Sequence, residues 1–280
     1  MNLLIVRNNS NSQAIDASLL LATYLGTQGI GYAIFDSSDL EGLDPNPLVS
    51  QQLARGVDLA VVLGGDGTIL HLAKTVAMNN VPVLGINLGS LGFMSELEPN
   101  ELERLRDLKG WNLTVEERMM LDVSIGGEER HYSVLNDAVL SRGTYSHILD
   151  LEVLLNNESI CNYRADGLIV STPTGSTAYF LSAGGPVVDP SLDCIGLVPI
   201  CPHSLFTRPV VFGGDATLCA RAHCGSEEEI LLSLDGETIL PIHSAVPVTI
   251  RRSPLTAGII RLNHKNFYQV VNDKLAERRL

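Results

Sequence analysis

The sequence predicts two domains: an α/β N-terminal domain with a Rossmann-like parallel sheet, and a β-rich, β-sandwich-like C-terminal domain. The chain has 280 residues, more than one average domain, and 45% of them are hydrophobic, which suffices for packed cores. Strand and helix patterns alternate up to about residue 110, as is typical of a parallel sheet with crossover helices. Beyond that point short β-branched segments separated by turn signals indicate a second, β-rich domain.

The alternating pattern defines the elements of the first domain. Short apolar runs predict buried strands at residues 2–6, 31–35, 59–63 and 83–86. Between the first two strands an apolar stripe predicts a helix, which Ser12 is expected to cap at its start and Gly29 at its end. A second helix is expected from about Thr68, and the charged residues 100–110 predict a third.

The change from alternating strand and helix patterns to short β-branched segments predicts the domain bounds. We expect the first domain to comprise residues 1–110 and, after a return of the chain, about 258–280, and the β-rich domain to comprise 111–257. The final stretch "NFYQVVNDKLAERRL" is compatible with a helix that packs on the first domain. Strands of the second domain are expected in "DVSI", "HYSVLNDAVL", "LDLEVLL", "GLIVSTPT" and "AVPVTIRR".

Charge and hydropathy exclude several classes of protein. A net charge of −13 disfavours nonspecific binding to nucleic acid or to an anionic membrane, so any phosphate ligand needs local donors and Mg²⁺. No apolar run approaches the about 18 residues of a membrane span, and the N-terminus carries no basic leader, so we expect a cytoplasmic protein. The five cysteines form no Cys-x-x-Cys pair and are expected to be buried free thiols.

The stretch "VVLGGDGTIL" places a carboxylate among three glycines after an apolar strand. Such a loop, here Gly64, Gly65, Gly67 and Thr68, offers backbone N–H groups to a polyphosphate. Asp66 would repel that ligand unless it serves a metal ion or a second substrate. The sequence contains no Walker-type loop, no His-Glu-x-x-His pair and no Gly-x-Ser-x-Gly elbow, and Leu at position 70 breaks the dinucleotide fingerprint.

Five further stretches are candidates for ligand contacts. The Gly-rich turn at 85–93 leaves the end of a strand, where ligands of α/β sheets bind, but equally suits a loop that needs positive φ. Asn136 and Asp137 interrupt an apolar strand, where an unpaired polar group costs about 1–3 kcal/mol, unless they lie at a turn or an edge. Residues 174–177 offer hydroxyls and N–H groups at a helix start. Asp235-Gly236 is equally a plain hairpin turn, and His203 is equally a structural histidine.

In their order and spacing, over about residues 57–252, these stretches closely resemble the NAD kinase family. The segment "DGLIVSTPTGSTAY" is the most diagnostic, because related lipid kinases and phosphofructokinases share the glycine-aspartate loop in variant form. The resemblance rests on Gly64 to Thr68, Gly85-Ile86-Asn87 with Leu91-Gly92-Phe93, Glu117-Arg118-Met119, Asn136-Asp137, Asp166 to Tyr179, and His203-Ser204-Leu205 with Arg208-Pro209.

The resemblance implies an enzyme that transfers the γ-phosphoryl group of ATP to the 2′-hydroxyl of the adenosine ribose of NAD, giving NADP and ADP. It also implies the two domains, the returning chain end and a homo-oligomer, a dimer or a tetramer. Asp66 would be the base at the acceptor hydroxyl. Phosphoryl transfer demands positioning and charge neutralisation, which suits loop amides together with Mg²⁺ held mainly by the phosphates rather than by protein ligands.

Further roles follow from the resemblance position by position. Asn136 resembles the adenine contact, Asp137 the ribose-hydroxyl contact and Phe93 the ring that flanks the adenine. Asp137 stands where many members have Glu, and Ser90 where Asn, His or Arg often occurs, so these two positions depart from the family pattern. The nicotinamide half is expected to meet Asp166, Thr177, Ala178, Tyr179 and Ser182, with Arg164 near phosphate. Thr174 is expected to be a further NAD contact, and Asp235, His203 and Arg208 are further candidates.

Two other functions share part of this sequence pattern. A lipid or small-metabolite kinase of the same superfamily would show an exposed apolar groove, and Asn136-Asp137 and residues 166–179 argue against it. A non-catalytic dinucleotide sensor would gain nothing from Asp66 in its phosphate loop. The sequence leaves open ATP or polyphosphate as donor, NAD or NADH as acceptor, and the size of the oligomer.

Overall fold

A computed structural model describes residues 1–40, 42, 46–89, 92–110, 113–143, 147–203, 207–225, 229–262 and 266–277. The chain forms two compact units. Unit 1 comprises Met1–Glu117 and Ala257–Leu280, and unit 2 comprises Arg118–Thr256. Within the described ranges, no helix combines the length and the apolar character needed to cross a membrane.

The described chain alternates strands and helices first and is then mostly strands. The strands are β1 (Asn2–Arg7), β2 (Gly31–Asp36), β3 (Leu59–Gly64), β4 (Val83–Asn87), β5 (Ser95–Leu97), β6 (Thr114–Ile125), β7 (His131–Val134), β8 (Asp137–Arg142), β9 (Leu149–Leu155), β10 (Glu158–Ala165), β11 (Gly167–Ser171), β12 (Cys194–Ile200), β13 (Val210–Gly213), β14 (Leu218–His223), β15 (Ile230–Leu234), β16 (Thr238–Ile242) and β17 (Pro247–Arg261). The helices are α1 (Ser12–Gln28), α2 (Pro47–Ala54), α3 (Asp66–Ala77), α4 (Tyr179–Ser182) and α5 (Phe267–Glu277), with 3₁₀ helices at Ser37–Leu40, Pro99–Gly110 and Thr174–Thr177.

Unit 1 is built on a parallel sheet in the order β2-β1-β3-β4. The apolar runs of β1 and β3 are fully buried, as expected for strands covered on both faces. On the far side of β4 lie β5 and the end of β17, where Ile259 pairs with Val83. The α/β prediction for this part of the chain is confirmed. The loops that leave β3 and β4 stand at the carboxyl ends of neighbouring strands, where α/β proteins bind ligands.

Two local predictions in unit 1 need correction. Helix α1 is capped by the side chain of Asn11, which accepts from the N–H of Gln13 at 2.9 Å, so Ser12 is the first helical residue and not the cap. Gly29 does end the helix, with φ 64°. The charged segment is a 3₁₀ helix because Leu102, Leu105 and Leu108, three residues apart, all pack into the same apolar cluster, and a 3₁₀ helix has three residues per turn.

Unit 2 consists of antiparallel sheets, which confirms the prediction of a β-rich domain. One sheet has the order β10-β9-β14-β17, and the other has the order β13-β12-β11-β8-β15-β16. On the second sheet Phe180 is fully buried against Val139, Ile169 and Val198. All five cysteines are free thiols, but none is fully buried and Cys201 is exposed, so the expectation of buried thiols is wrong.

Candidate active site

The loop after β3 places Asp66 in the first turn of helix α3. Gly64 ends the strand, and Gly65 caps the helix in an extended conformation with φ −99° and ψ −173°. The helix begins at Asp66 rather than at Thr68, so the acidic side chain belongs to the helix itself. The N–H groups of a first helical turn and the positive end of the helix dipole attract anions, so the loop presents N–H donors of the kind that suit an anionic ligand.

Among the residues that the structure describes, packing requires only one of the three loop glycines. A Cβ on Gly64 would lie 2.6 Å from Oγ1 and 3.1 Å from Cβ of the buried Thr68. By contrast, a Cβ on Gly65 or on Gly67 would meet no described atom within 4 Å. The backbone is therefore bare at these two glycines, as a loop must be where a ligand comes close to the main chain.

The two glycine-rich turns meet at the carboxylate of Asp66. Its Oδ2 accepts a hydrogen bond from the N–H of Phe93 at 2.7 Å, and its Oδ1 accepts one from Met94 at 3.1 Å. Gly92 permits this approach, since a Cβ there would collide with Oδ1 of Asp66 and with Oγ of Ser95. A carboxylate has about four lone-pair positions, so Asp66 remains able to accept a further proton or hydrogen bond.

A buried ion pair holds the second turn, and the sequence analysis missed it. Arg261, the last residue of β17, contacts Glu96 at 3.2 Å and Glu116 at 2.8 Å, and it donates to the carbonyl of Phe93 at 3.3 Å. Glu96 also accepts from the N–H of Leu262 at 2.8 Å. The only sequence signal was an arginine at the end of an otherwise apolar run, more than a hundred residues from its partners.

Helix α5 reaches the same turn. The ammonium of Lys274 lies 3.8 Å from the centroid of the Phe93 ring, within the range of a cation–π interaction. Because this group occupies one face of the ring, an adenine that flanked Phe93 would use the opposite face. The C-terminal segment thus lies in unit 1 and contacts a candidate site residue.

In unit 2, Asp235 meets three consecutive residues that lie about a hundred positions away in sequence, at the start of β8. The carboxylate of Asp235 accepts hydrogen bonds from the N–H groups of Leu135 at 2.9 Å, of Asn136 at 2.6 Å and of Asp137 at 3.2 Å. Asp235 is thus more than a plain hairpin residue, because its side chain ties one hairpin to the Asn-Asp turn. Asn136 and Asp137, two of the predicted NAD contacts, therefore share one hydrogen-bonding centre.

The segment after β11 supports this turn from its other side. The N–H of Thr172 donates to the carbonyl of Asn136 at 2.9 Å, and its hydroxyl donates to the carbonyl of Leu135 at 2.6 Å. Gly175 lies against the same carbonyl, since a Cβ at that position would collide with the oxygen of Asn136. The first residues of the "TPTGSTAY" segment are therefore packed on the Asn-Asp turn.

The side chains of this turn have unusual environments. Oδ1 of Asn136 is buried and has no hydrogen-bond partner among the residues that the structure describes, so a ligand or water that donates to it would satisfy this acceptor. Burial, and then the negative charge of Asp235, raise the pKa of Asp137 to about 7. Burial is also the main cause that raises the pKa of Asp235 to about 6, against three N–H hydrogen bonds that lower it. Perturbed carboxyl groups of this kind are common at binding sites.

The segment predicted to frame the nicotinamide lies next to this turn in sequence. Thr174 is buried in a 3₁₀ turn, and Oγ1 of Thr177 donates to its carbonyl at 3.4 Å. After Ala178 the chain forms the four-residue helix α4, so a short helix does follow the Ser/Thr/Gly-rich turn. Tyr179 is 46% exposed and Ser182 is exposed, so both side chains are accessible to a ligand.

The remaining candidates stand apart from the Asn-Asp turn. Arg164 is mostly exposed and lies 3.2 Å from Asp150, whereas Asp166 forms an ion pair with Arg142 at 2.8 Å. His203 is exposed, and its N–H donates to the carbonyl of Arg164 at 2.8 Å. Arg208 is exposed and donates to the carbonyl of Thr207 at 3.5 Å. Ser90, Leu91, Ser204 and Leu205, which entered the sequence comparison, lie outside the described residues.

Both units match models of one protein family. Residues 3–108 match the ATP-NAD kinase N-terminal domain, and residues 135–262 match the ATP-NAD kinase C-terminal domain. The α/β unit with its acidic glycine loop and the β-rich unit with its Asn-Asp turn define a two-domain phosphotransferase. Most of the chain is covered by these two models, and it belongs to the NAD kinase family.

Individual relatives agree with the family models. The NAD kinase of Citrifermentans bemidjiense is 42% identical over 231 residues, which are 81% of this chain and 80% of the relative. The NAD kinase of Nitrosomonas europaea is 37% identical over 278 residues, or 97% and 93% of the two chains. A crystal structure of yeast NADH kinase complexed with NADH has a TM-score of 0.83 at 26% identity, covering 99% of this chain and 87% of that chain. An NAD kinase from Archaeoglobus fulgidus shares the fold, with a TM-score of 0.78 at 23% identity over 97% and 98% of the chains.

Proposed function

We propose that the protein is an NAD kinase that transfers the γ-phosphoryl group of ATP to the 2′-hydroxyl of the adenosine ribose of NAD, giving NADP and ADP. The observation that carries this proposal is the tethered carboxylate of Asp66 in the first turn of α3. The bond between the γ-phosphorus and the bridging oxygen of ADP breaks, and a bond from the 2′-oxygen to that phosphorus forms. Asp66 accepts the hydroxyl proton, late in a loose transition state, so a weak base suffices.

The loop supplies the electrostatic part of the reaction. The bare backbone at Gly65 and Gly67 lets the phosphates approach the N–H groups of the α3 N-terminus. The described residues contain no group of three or more His, Cys, Asp or Glu side chains that could hold a metal ion. As the resemblance to the family implies, we assign Mg²⁺ mainly to the phosphates of ATP, with the Asp66 carboxylate as the one acidic group of the loop. When bound, the ion supplies neutralisation of phosphate charge.

The Asn-Asp turn supplies recognition of the adenosine. The buried, unpartnered Oδ1 of Asn136 is an acceptor for the amino group of adenine, the pairing that asparagine makes with that base in general. The carboxyl group of Asp137 is assigned to a ribose hydroxyl. Further contacts are proposed for Phe93 at the adenine, for Arg164 near phosphate, and at the nicotinamide half for Asp166, Thr174, Thr177, Ala178, Tyr179 and Ser182.

Incubation of the purified protein with NAD, Mg²⁺ and either ATP or inorganic polyphosphate tests the proposal, with NADP detected by an NADP-specific dehydrogenase. NADP is expected with ATP, and the polyphosphate arm decides the range of donors. A parallel arm replaces NAD by NADH. An NAD analogue that lacks the adenosine 2′-hydroxyl should bind but yield no phosphorylated product. Phosphorylation of this analogue would refute the assignment of the acceptor hydroxyl.

We further propose that the enzyme works in the cytoplasm as a homo-oligomer, a dimer or a tetramer. The resemblance to the family supports both proposals. Sedimentation equilibrium of the full chain measures the mass of the assembly. A mass of about one chain across the concentration range would contradict the oligomer.

A further inference from the structure

The hairpin between β15 and β16 carries a side chain that its local sequence does not explain. Asp235 and Gly236 form the turn with φ 53° and φ 75°, the left-handed backbone that tight hairpins require. A hairpin asks only for a residue that tolerates positive φ at this position, and Asn serves as well as Asp. Here, however, the carboxylate is directed to residues 135–137, which lie 98 to 100 positions away in the sequence.

The Asp235 carboxylate accepts hydrogen bonds from three N–H groups. Those of Leu135 and Asn136 precede β8, and that of Asp137 begins it. The pairing of β8 with β15 includes Ala138 opposite Leu234, so the ladder starts only after these residues. Without Asp235 the part-buried N–H groups of Leu135, Asn136 and Asp137 would lose their acceptor, and an unsatisfied buried donor is costly. The N–H of Asp235 in turn donates to the carbonyl of Asp137 at 2.9 Å, so the two segments are bonded in both directions.

The same turn is held from the opposite side by the chain after β11. The carbonyl of Asn136 accepts from the N–H of Thr172 at 2.9 Å and from Oγ of Ser171 at 3.2 Å. The backbone of Asn136 has little freedom to rotate, because its N–H donates to Asp235 and its carbonyl accepts from Thr172 and Ser171. Its unpartnered Oδ1 is therefore aimed by contacts that themselves touch no ligand.

We propose that Asp235 is a positioning residue for NAD recognition: its carboxylate clamps the 135–137 turn and thereby sets the direction of the Asn136 and Asp137 side chains. This inference rests on the proposed function, because it assigns those two side chains to the adenosine of NAD. In this role Asp235 acts through the backbone of the turn, because its two carboxylate oxygens accept the three N–H groups of residues 135–137. Its contribution is to reduce the conformational freedom that binding would otherwise remove.

The charges around the turn agree with a clamp that stays ionised. The acidic groups that face one another are Asp137, Asp235 and Glu237, and each opposes ionisation of its neighbour. Three N–H donors favour the charged form of Asp235, whereas burial and Asp235 favour the protonated form of Asp137. Burial raises both pKa values, that of Asp137 to about 7 and that of Asp235 to about 6, so Asp235 loses its proton first as pH rises and has its full acceptor capacity above about pH 6.

The substitution Asp235→Asn tests the inference with little disturbance of the hairpin. Asn tolerates the positive φ and favours the same turn before glycine, but its NH₂ group replaces one acceptor oxygen and faces the N–H donors. We expect the KM for NAD to rise by about tenfold or more, while the KM for ATP and the kcat at saturating NAD change less than about threefold. Titration calorimetry with NAD alone should show the same loss of affinity.

Asp122→Asn is the matched control. Asp122 is a buried carboxylate of the same unit, bonded by His131 at 2.9 Å and by Arg251 at 2.9 Å, but on β6 and away from the Asn-Asp turn. Its loss should lower the Tm and leave the KM for NAD within about twofold. An equal rise of KM in this control would show that any buried carboxylate of the unit has the effect, and would overturn the specific role of Asp235.

A double-mutant cycle separates positioning from general destabilisation. If Asp235 acts through the side chain at 136, Asp235→Asn should raise the KM for NAD less in an Asn136→Ala background than in the wild type. Equal effects in the two backgrounds would overturn the inference. If Asp235→Asn does not fold, Asp235→Glu decides, since it keeps the charge but displaces the turn by one methylene. A rise in the KM for NAD alone supports positioning, and an unchanged KM overturns it.

The result separates this inference from the proposed function on which it rests. Wild-type protein that forms no NADP from NAD would refute both. Wild-type activity together with an unchanged KM for NAD in Asp235→Asn would refute the positioning role alone. Parallel rises in the KM for NAD and for ATP would also refute it, because a clamp on the Asn-Asp turn acts on one substrate.

Discussion

The two carboxylates assigned to the acceptor, Asp66 and Asp137, have opposite surroundings. Asp66 is half-buried and accepts two backbone N–H groups, which hold its carboxylate in one orientation. Asp137 is buried next to another carboxylate, which favours its protonated form. A protonated Asp137 both donates and accepts hydrogen bonds, which suits contact with a hydroxyl.

Asp66→Asn should lower the kcat for NADP formation by about 10² to 10⁴, because the amide cannot accept the hydroxyl proton. The structure adds a second effect: the NH₂ group of Asn would face the N–H of either Phe93 or Met94, so one hydrogen bond is lost and the KM for NAD rises a few-fold. Steady-state kinetics measure both constants.

Asp58→Asn, an exposed change in the same unit, is the control for this variant and should leave the kcat unchanged. A kcat above about a tenth of the wild-type value in Asp66→Asn would contradict the role as base. If added Mg²⁺ restored most of the rate, Asp66 would instead be a ligand of the metal.

Asp137 predicts a dependence of stability on pH. Its pKa is raised from 3.8 to about 7, so between these values the folded state holds a proton that the unfolded state has released. The free energy of unfolding therefore falls as pH rises through this window, on the order of 1 kcal/mol for each pKa unit. The Asp137→Asn variant has no titrating carboxyl group at this position, so its free energy of unfolding lacks this decrease with pH. Thermal unfolding should show the Tm of the variant, relative to the wild type, increasing from pH 5 to pH 8.

The exposed Asp215→Asn serves as the control, and its Tm difference from the wild type should stay constant over the same range. A constant or falling difference for Asp137→Asn would show that the folded protein does not hold this proton.

At the scale of elements, helix termini and tight turns carry the candidate site. The glycine loop joins β3 to α3, the second turn follows β4, and the Asn-Asp turn precedes β8. Each is fixed by hydrogen bonds to a segment distant in sequence: Asp66 holds the 92–94 turn, and Asp235 holds the 135–137 turn. The sheets supply rigid ends from which these short turns project.

The three loop glycines should respond differently to alanine. Gly64→Ala forces a contact with Thr68 and should lower the Tm, whereas Gly65→Ala meets no protein atom and should not. Gly67→Ala lies inside α3 and should stabilise the helix by about 0.5–1 kcal/mol. If phosphates lie against this backbone, Gly65→Ala and Gly67→Ala both raise the KM for ATP despite normal stability. Unchanged KM values in both variants would remove the loop from the donor site.

Tyr179, the first residue of α4, is assigned to the nicotinamide half because its ring is 46% exposed and can pack on a flat ligand. Tyr179→Ala should raise the KM for NAD and leave the KM for ATP nearly unchanged. Tyr32→Ala, which removes a 43% exposed ring from β2, is the matched control and should change neither. A selective loss of ATP affinity in Tyr179→Ala would reverse the assignment.

At the scale of the whole molecule, the net charge of −13 opposes the binding of two polyanionic substrates. Local donors at the α3 N-terminus offset part of this repulsion, and a divalent cation is expected to offset the rest. Turnover should therefore cease in excess chelator and return when Mg²⁺ is restored. Undiminished NADP formation in the chelator would contradict the requirement for a divalent cation. Parallel assays with calcium or manganese in place of Mg²⁺ would identify which ions support turnover.

Much of the architecture was accessible from local patterns. The apolar runs at 2–6 and 59–63 are buried parallel strands, and the glycine-aspartate loop does follow β3, because strand burial and turn chemistry are short-range properties of the chain. Where several signals competed locally, the sequence analysis erred. Asn11 rather than Ser12 caps α1, and leucines spaced three apart made residues 99–110 a 3₁₀ helix.

By itself, the sequence determined the alternation of strands and helices in the first part of the chain, the β-rich character of the rest, the position of the glycine-aspartate loop after β3 and the family of the protein. The tertiary structure alone decided which groups hold the site. Asp66 accepts hydrogen bonds from the 92–94 turn, Arg261 forms an ion pair with Glu96, and Asp235 accepts hydrogen bonds from the 135–137 turn. The reason is physical. Periodicity and turn propensity act over a few residues, whereas these hydrogen bonds and ion pairs join segments up to 165 positions apart and form only when the sheets bring those segments together.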